Sequence, residues 1–157
     1  MSWNYLAALP DVFGGFEFLE RLFLSHNKLS VLPKSFEKLA GRGSEGLSIV
    51  ALEHNDLRSL AAGGGPAIEC KELLLGNNHR LKSLDSFRRL RVKELHAPFA
   101  GLSSVPNFAG LKTLVLPGNA ITELPWRALE GCRKHIKVRT TSDPRAPAGR
   151  TLSRAPL

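Results

Sequence analysis

Leucine and other aliphatic residues recur at fixed spacings along most of this chain, and each set ends in an asparagine. The pattern Leu-x-x-Leu-x-Leu-x-x-Asn is found at residues 19–27, 47–55, 70–78 and 111–119, with a few aliphatic or cysteine substitutions. Two aliphatic residues separated by one position lie on the same face of a strand. Each copy therefore predicts a short strand with one face in the core.

Two further copies are incomplete. Residues 92–102 keep the aliphatic spacing but have Ala100 where the asparagine is expected. Asn4 begins the back half of a copy whose strand would lie at or before Met1. An asparagine carboxamide offers both a donor and an acceptor to the buried bend after a strand. At Ala100 we therefore expect a water, a neighbouring carbonyl or a distorted turn to take over this role.

The repeated pattern resembles that of intracellular leucine-rich-repeat proteins and covers about residues 4–121. The resemblance implies an α/β repeat solenoid, a short curved stack with a parallel, concave β-sheet and a convex side of 3₁₀, helical or irregular segments. It identifies no single protein. The predicted organisation is a half-repeat or cap at 1–18, about four full repeats and one degenerate repeat near 92–105 within 19–126, a C-terminal cap at 127–142 and a basic Pro/Arg-rich tail at 143–157.

The segments that return from one strand to the next also show a pattern. Large apolar residues step by threes at Leu84, Phe87 and Leu90, and again over residues 105–111. This spacing predicts short 3₁₀ or helical turns.

The side chains between the core leucines face outward and form columns that advance about 4.8 Å per strand. The central column is largely apolar, and an exposed apolar stripe with a polar rim is typical of protein-binding surfaces. We therefore predict a protein partner on the concave face, with Phe23, Leu74 and Phe99 as anchors. The alternative is a modest patch or one shielded by the chain's own tail. The predicted binding residues are Arg21, Phe23, Ile49, Glu53, Glu72, Leu74, Glu94, His96, Phe99 and Val115.

Positive charge is concentrated at the C-terminal end. The net charge is +8, and from Arg127 onward there are eight bases and two acids. This asymmetry suggests an acidic partner, most commonly a nucleic acid, although a solvated tail without a dedicated partner is the alternative. Cations spaced along phosphates bind without sequence specificity, and the affinity falls with salt. The candidate contacts are Arg133, Lys134, Lys137, Arg139, Arg145, Arg150 and Arg154.

Other chemistry finds little support. His26 and His54 occupy the same position of successive repeats, so that their rings are expected to approach, but four ligands do not converge. We therefore predict no metal and no cofactor, and the absence of hydrolase or metalloprotease motifs predicts no catalysis and no small-molecule substrate. The sequence contains no run of about 18 apolar residues, so we predict no membrane span. The chain has only two cysteines, and this low number favours an intracellular location, cytoplasmic or organellar.

Three functional hypotheses follow. The first is a non-catalytic interaction scaffold that binds a protein partner on its concave face, within a larger assembly. The second is a structural subunit of a ribonucleoprotein, such as a ribosome or an organellar ribosome, whose basic end contacts RNA. The third is a host-directed effector, as some bacterial repeat proteins are.

Overall fold

The computed structural model describes residues 1–39, 47–58, 68–85, 90–106, 108 and 110–122, together with the backbone of residues 135–137. Six strands form one sheet in the order of the chain, and every neighbouring pair is parallel. The strands are β1 (Arg21–Phe23), β2 (Leu47–Ala51), β3 (Ile68–Leu74), β4 (Leu90–His96), β5 (Thr113–Val115) and β6 (His135–Lys137). Each repeat copy thus contributes a strand as predicted, and the degenerate copy contributes β4.

The leucine spacing sets the register of the sheet. Val50 pairs with Leu73, Leu73 with Leu95, and Leu95 with Leu114, and all four side chains are fully buried. Full burial of one such side chain contributes about 2 kcal/mol relative to exposure. A shift of one residue would turn this column to the opposite face, so the hydrophobic pattern specifies one register.

Two 3₁₀ turns lie on the return side of the first repeats, at Phe13–Gly15 and Lys34–Leu39. Phe13 packs against Phe36 with ring centroids 5.2 Å apart, and the Phe13 N–H donates to the Ser35 hydroxyl at 3.1 Å. These contacts bury the return side of the first half-repeat against that of the next.

The 3₁₀ turn predicted over residues 105–111 is wrong for the described part of that segment. Residues 105, 106, 108, 110 and 111 form no helix, although Val105, Phe108 and Leu111 are buried. A spacing of three determines which side chains face the core but not whether the backbone forms i→i+3 hydrogen bonds. The corresponding prediction for residues 84–90 includes 86–89, which lie outside the described residues.

The buried asparagines form a ladder that links each repeat to the one before it. The Asn78 amide nitrogen donates to the carbonyls of Leu75 in its own repeat and Leu52 in the preceding repeat, both at 2.9 Å. Its oxygen accepts the Leu57 N–H of the preceding repeat at 3.2 Å. The same arrangement is found at Asn27, Asn55 and Asn119.

The ladder also reaches the N-terminal residues. The Asn27 amide donates to the Met1 carbonyl at 3.0 Å and accepts the Leu6 N–H at 3.1 Å. The Trp3 N–H donates to the Ser25 carbonyl at 3.1 Å, as a strand continuation would. The first residues therefore stand in the place of a repeat that precedes β1.

The turn at Ala100 lacks its own carboxamide. Of the three expectations for this position, the structure shows a neighbouring carbonyl, and it belongs to the Asn119 side chain. That oxygen accepts the N–H groups of both Ala100 and Leu102, at 3.1 and 2.9 Å. Gly101 follows with φ of +79°, and its Cα faces the His79 carbonyl so closely that a Cβ would clash. The missing asparagine is thus accompanied by a close approach of two backbones.

Candidate protein-binding face of the sheet

The side chains that point away from the core form a surface that we call the open face. The register places them in two columns across β1–β5. One column is Arg21, Ile49, Glu72, Glu94 and Thr113; the other is Phe23, Ala51, Leu74, His96 and Val115. These are the columns that the leucine spacing predicts, so the structure brings together eight of the ten predicted binding residues, with Ala51 and Thr113 beside them.

The apolar part of the open face is interrupted. Phe23 is 48% exposed and Leu74 and Val115 are partly exposed, whereas Ala51 is only 3% exposed. The predicted exposed apolar stripe is interrupted at Ala51, because the short alanine side chain lies below its longer neighbours. The open face therefore offers separate apolar contacts at Phe23 and at Leu74.

Acidic groups lie beside Leu74. Glu72 and Glu94 are register partners on adjacent strands, which are about 4.8 Å apart. Glu94 Oε2 lies 3.8 Å from His96 Nε2, an ion pair only when the ring is protonated. That nitrogen is buried and makes no hydrogen bond within the described structure. The outward columns of β3 and β4 thus hold two carboxylates and one imidazole, and Lys71 and Lys93 directly precede the two glutamates along the chain.

The other two predicted binding residues lie beyond the strands. Glu53 follows the end of β2 and is partly buried. Phe99, predicted as an anchor of the concave face, lies in the turn after β4 with φ of 52°. Its ring is 52% exposed and packs over Gly118, where a Cβ would clash with it. Phe99 therefore lies beyond the C-terminal end of β4 and outside the two columns of the open face. Its placement on that face was wrong.

Phe99 is one of a series of residues with positive φ that immediately precede each ladder position. The backbone leaves the strand there in a left-handed conformation, which non-glycine residues seldom adopt. The series is Trp3, His26, His54, Asn77, Phe99 and Gly118.

Three rings of this series stack from one turn to the next. Trp3 lies on His26 with centroids 3.6 Å apart, and His26 lies on His54 at 4.2 Å. The predicted approach of the two histidines is confirmed. His54 Nε2 is also 3.2 Å from the Asn77 amide nitrogen. Trp3 precedes Asn4 just as His26 precedes Asn27, so the stack extends into the first half-repeat.

Several large apolar side chains within the first 18 residues are exposed. The exposed members are Met1, Trp3, Tyr5, Val12, Phe16 and Phe18.

The predicted acidic-partner site falls almost wholly outside the described part of the chain. Lys137 ends β6, where its backbone pairs in register with Val115. The C-terminal cap at 127–142 and the tail at 143–157 otherwise lie outside the described residues. So do Arg133, Lys134, Arg139, Arg145, Arg150 and Arg154.

Three findings on the described residues concern nucleophilic catalysis, metal binding and membrane-crossing helices. Cys70 is buried, and burial followed by the nearby Glu72 charge raises the pKa of its thiol to about 12, so it stays protonated at neutral pH. Within the described ranges, no three His, Cys, Asp or Glu side chains are grouped to hold a metal ion. Neither described 3₁₀ turn has the length or apolarity of a membrane-crossing helix.

Comparison with known proteins gives one match. The family model described as Leucine Rich Repeat matches residues 18–39, which contain β1, the ladder residue Asn27 and the second 3₁₀ turn. Searches of curated proteins and of solved structures found no match.

Proposed function

Since the chain is a leucine-rich-repeat protein, we propose that it is a non-catalytic interaction scaffold that binds a protein partner on its open face. In this proposal the repeats form a short solenoid, and the open face is its concave side. Repeats of this kind generally act as protein-interaction modules, and the partner is then a component of a larger assembly.

The exposure of Leu74 on β3 is the observation that carries the proposal. Leu74 lies in the middle of the strand order, between a largely exposed Phe23 on β1 and a partly exposed Val115 on β5. Glu72 on the same strand and His96 on β4 lie next to Leu74, which fits the apolar centre and polar rim of protein interfaces. Large apolar groups at such centres tend to dominate the binding energy.

The alternative of a ribonucleoprotein subunit rests on the sequence alone. The basic residues from Arg127 onward support an RNA contact, and binding that weakens steeply with salt would be its signature. An intracellular location is likewise a prediction from the sequence alone.

The proposal is tested by Leu74→Asp in the full chain. Affinity purification from native cells identifies partners, and the dissociation constant of a purified partner is then compared between variants. A charge buried at the centre of the interface should weaken binding by about 2 kcal/mol or more, roughly thirtyfold.

Val31→Asp is the matched control, because Val31 is an exposed apolar residue outside the open face. It should leave both binding and the melting temperature unchanged. A partner held equally well by Leu74→Asp and the wild type, with both proteins folded, would show that the open face is not the binding surface.

A further inference from the structure

We propose that two copies of this chain pair edge to edge through β1, so that their sheets join into one across a twofold axis. The pairing is antiparallel, with Arg21 of each copy opposite Phe23 of the other and the two Leu22 residues opposite each other. The inference concerns the edge of the sheet and is independent of the partner proposed for the open face.

The outer edge of β1 carries backbone groups that have no partner within the described part of the chain. β1 is the first strand of the sheet and pairs with β2 alone. The Glu20 carbonyl and the Leu24 N–H both bond to β2, at 2.7 and 2.8 Å. Because alternate residues of a strand direct their backbone groups to opposite edges, the N–H and C=O of Arg21 and Phe23 face outward. Such an edge is a template for another strand.

The hydrophobic core is also incompletely covered at this end. Leu22 is partly exposed, whereas Val50, its register partner on β2, is fully buried. Three other core positions of the first repeats are likewise only partly buried, namely Leu6, Leu9 and Leu19. Their counterparts one repeat later are all buried, namely Leu29, Leu32 and Leu47. A strand added beside β1 would cover the exposed side of Leu22.

Exposed phenylalanines adjoin this edge along the chain. Phe16 and Phe18, in the segment that leads into β1, are 46% and 92% exposed, and Phe23 at the end of β1 is also largely exposed. Several exposed aromatic side chains close together along a chain are typical of an interaction surface.

The free length of the edge matches the length of β1 itself. The segment 1–6 already occupies the edge beyond β1, where the Trp3 N–H donates to the Ser25 carbonyl at 3.1 Å. Among the described residues nothing covers Arg21–Phe23, so the added strand must be short. β1 has three residues and meets this requirement.

The outward backbone groups determine the register of the two copies. With Arg21 opposite Phe23 of the second copy, both positions form hydrogen-bonded pairs, and every outward N–H and C=O of the two strands is satisfied. The guanidinium then lies beside a phenyl ring on the open face, where a cation–π contact is favourable. A shift that placed Arg21 opposite its own counterpart would leave half of these groups unpaired and bring like charges together.

The charge of this end also suits a second copy. Residues 1–28 hold three acidic and two basic side chains, although the whole chain carries +8. β6, which lies within the basic part of the sequence, is five strands away from β1, or about 24 Å. Two copies joined at β1 therefore meet through nearly neutral surfaces and keep their basic ends apart. An interface of one patch with itself has the twofold symmetry common among homodimers.

The first test is sedimentation equilibrium of the full-length chain, which should show a reversible dimer. Phe23→Arg places an arginine opposite Arg21 of the other copy at two symmetric contacts, and should raise the dimer dissociation constant about tenfold or more. Arg21→Phe/Phe23→Arg is the matched control, because it exchanges the two residues and retains the pair, and it should dimerise like the wild type. Thermal melting followed by circular dichroism checks that both variants fold.

A second pair of variants tests the backbone pairing. Arg21→Pro removes an N–H that faces outward, and proline is tolerated at such positions of an edge strand. Arg21→Gln removes the same charge but keeps the N–H. The dissociation constant should rise at least tenfold for Arg21→Pro and less than about threefold for Arg21→Gln.

Three outcomes would overturn the inference. One is a chain that stays monomeric at its highest soluble concentration, and another is a dimer that Phe23→Arg and Arg21→Pro leave unchanged. The third is a monomer in which the Arg21 and Phe23 amides are protected from hydrogen exchange, because another part of the chain then covers the edge. Protection that appears only when a different protein is bound would assign the edge to that protein and overturn the pairing of copies as well.

The open face gives an independent reading. Leu74→Asp should leave the dimer intact, because Leu74 lies on β3 and away from the edge. Loss of an open-face partner without loss of the dimer, or the reverse, would therefore show which of the two proposals fails.

Discussion

The turn after β3 contains Asn78 and the turn after β4 contains Ala100, although both turns leave buried backbone groups to be satisfied. Asn78 bonds to its own repeat and to the preceding one, and its side chain is fully buried. Ala100 is equally buried and bonds to nothing through its methyl group. Its backbone N–H is instead satisfied by Asn119, from the following repeat.

This difference shows that a ladder residue serves the preceding repeat as much as its own. Where one asparagine is missing, the next one accepts an additional N–H group. Leu52 illustrates the redundancy elsewhere in the ladder, because its carbonyl accepts from both Asn55 and Asn78. Redundancy is lost around Ala100, where Leu75 O accepts a carboxamide only from Asn78 and Ala97 O only from Asn119 within the described structure.

The largest expected effect is therefore that of Asn119→Ala. Asn119→Ala takes the carboxamide partner from four backbone groups, Ala97 O, Ala100 N, Leu102 N and Leu116 O. Asn78→Ala takes it from only two, Leu75 O and Leu57 N, because Leu52 O keeps a second donor in Asn55. Each unsatisfied buried group costs about 1–3 kcal/mol, partly recovered by relaxation. We expect losses in unfolding free energy of about 4 kcal/mol for Asn119→Ala and about 2 kcal/mol for Asn78→Ala, measured by urea denaturation.

Asn4→Ala provides the control for these two variants. Asn4 holds the equivalent position in the first half-repeat, but its side chain is exposed and bonds only to the carbonyls of Met1 and Ser2. Its loss should cost less than about 0.5 kcal/mol. Equal losses for Asn78→Ala and Asn119→Ala would contradict the unequal sharing inferred from the comparison.

A second test addresses the close backbone approach that accompanies Ala100. Gly101→Ala would add a Cβ against the His79 carbonyl in a left-handed backbone conformation. Overpacking and strain together should cost about 3 kcal/mol. The measurement is again urea denaturation of the variant and the wild type.

Gly110→Ala separates the two causes. Gly110 has nearly the same φ, +77°, but nothing lies within 4 Å of an added Cβ. Only the conformational cost of about 1 kcal/mol should remain. If both variants lose the same stability, the approach of His79 and Gly101 contributes nothing.

The sheet and its register could be predicted because they depend on the spacing of leucines alone. The loss of the ladder asparagine at Ala100 was also visible in the sequence. The approach of Gly101 to His79 was not, because it depends on how two repeats of unequal length meet in space.

For the candidate site, the sequence could predict which residues share a column but not how exposed each side chain is. Columns on the open face follow from register, but exposure depends on the lengths of neighbouring side chains, and Ala51 is buried for that reason. Phe99 was misplaced because its apolar character was read without its backbone conformation. The stack of Trp3 on His26 can be predicted only if the first residues are recognised as part of the asparagine ladder.

The smallest expected effect concerns a contact between repeats on the return side rather than in the ladder. Hydrogen bonding from the Ser35 hydroxyl, and then from its backbone N–H, lowers the pKa of exposed Asp11. The N–H donates to Asp11 Oδ1 at 2.7 Å. A lowered folded-state pKa adds stability above the unfolded value of about 3.9, and this stability is lost as the pH falls through the folded value.

The melting temperature should therefore fall more for the wild type than for Asp11→Asn between about pH 5 and the folded pKa of Asp11. The difference should be small, because the carboxylate is exposed. An identical pH profile for both proteins would show that Asp11 does not couple the first two return segments.

The direction of the asparagine ladder has a consequence for synthesis of the chain. The carboxamides of Asn27, Asn55, Asn78 and Asn119 each reach back to the segment that the ribosome made earlier. An emerging repeat therefore leaves its turn with unsatisfied polar groups until the next one has been translated. Each turn would then be completed only when the following repeat has folded against it. Until Asn119 itself has left the ribosome, the turn at Ala100 would accordingly lack the partner of its Ala100 and Leu102 N–H groups.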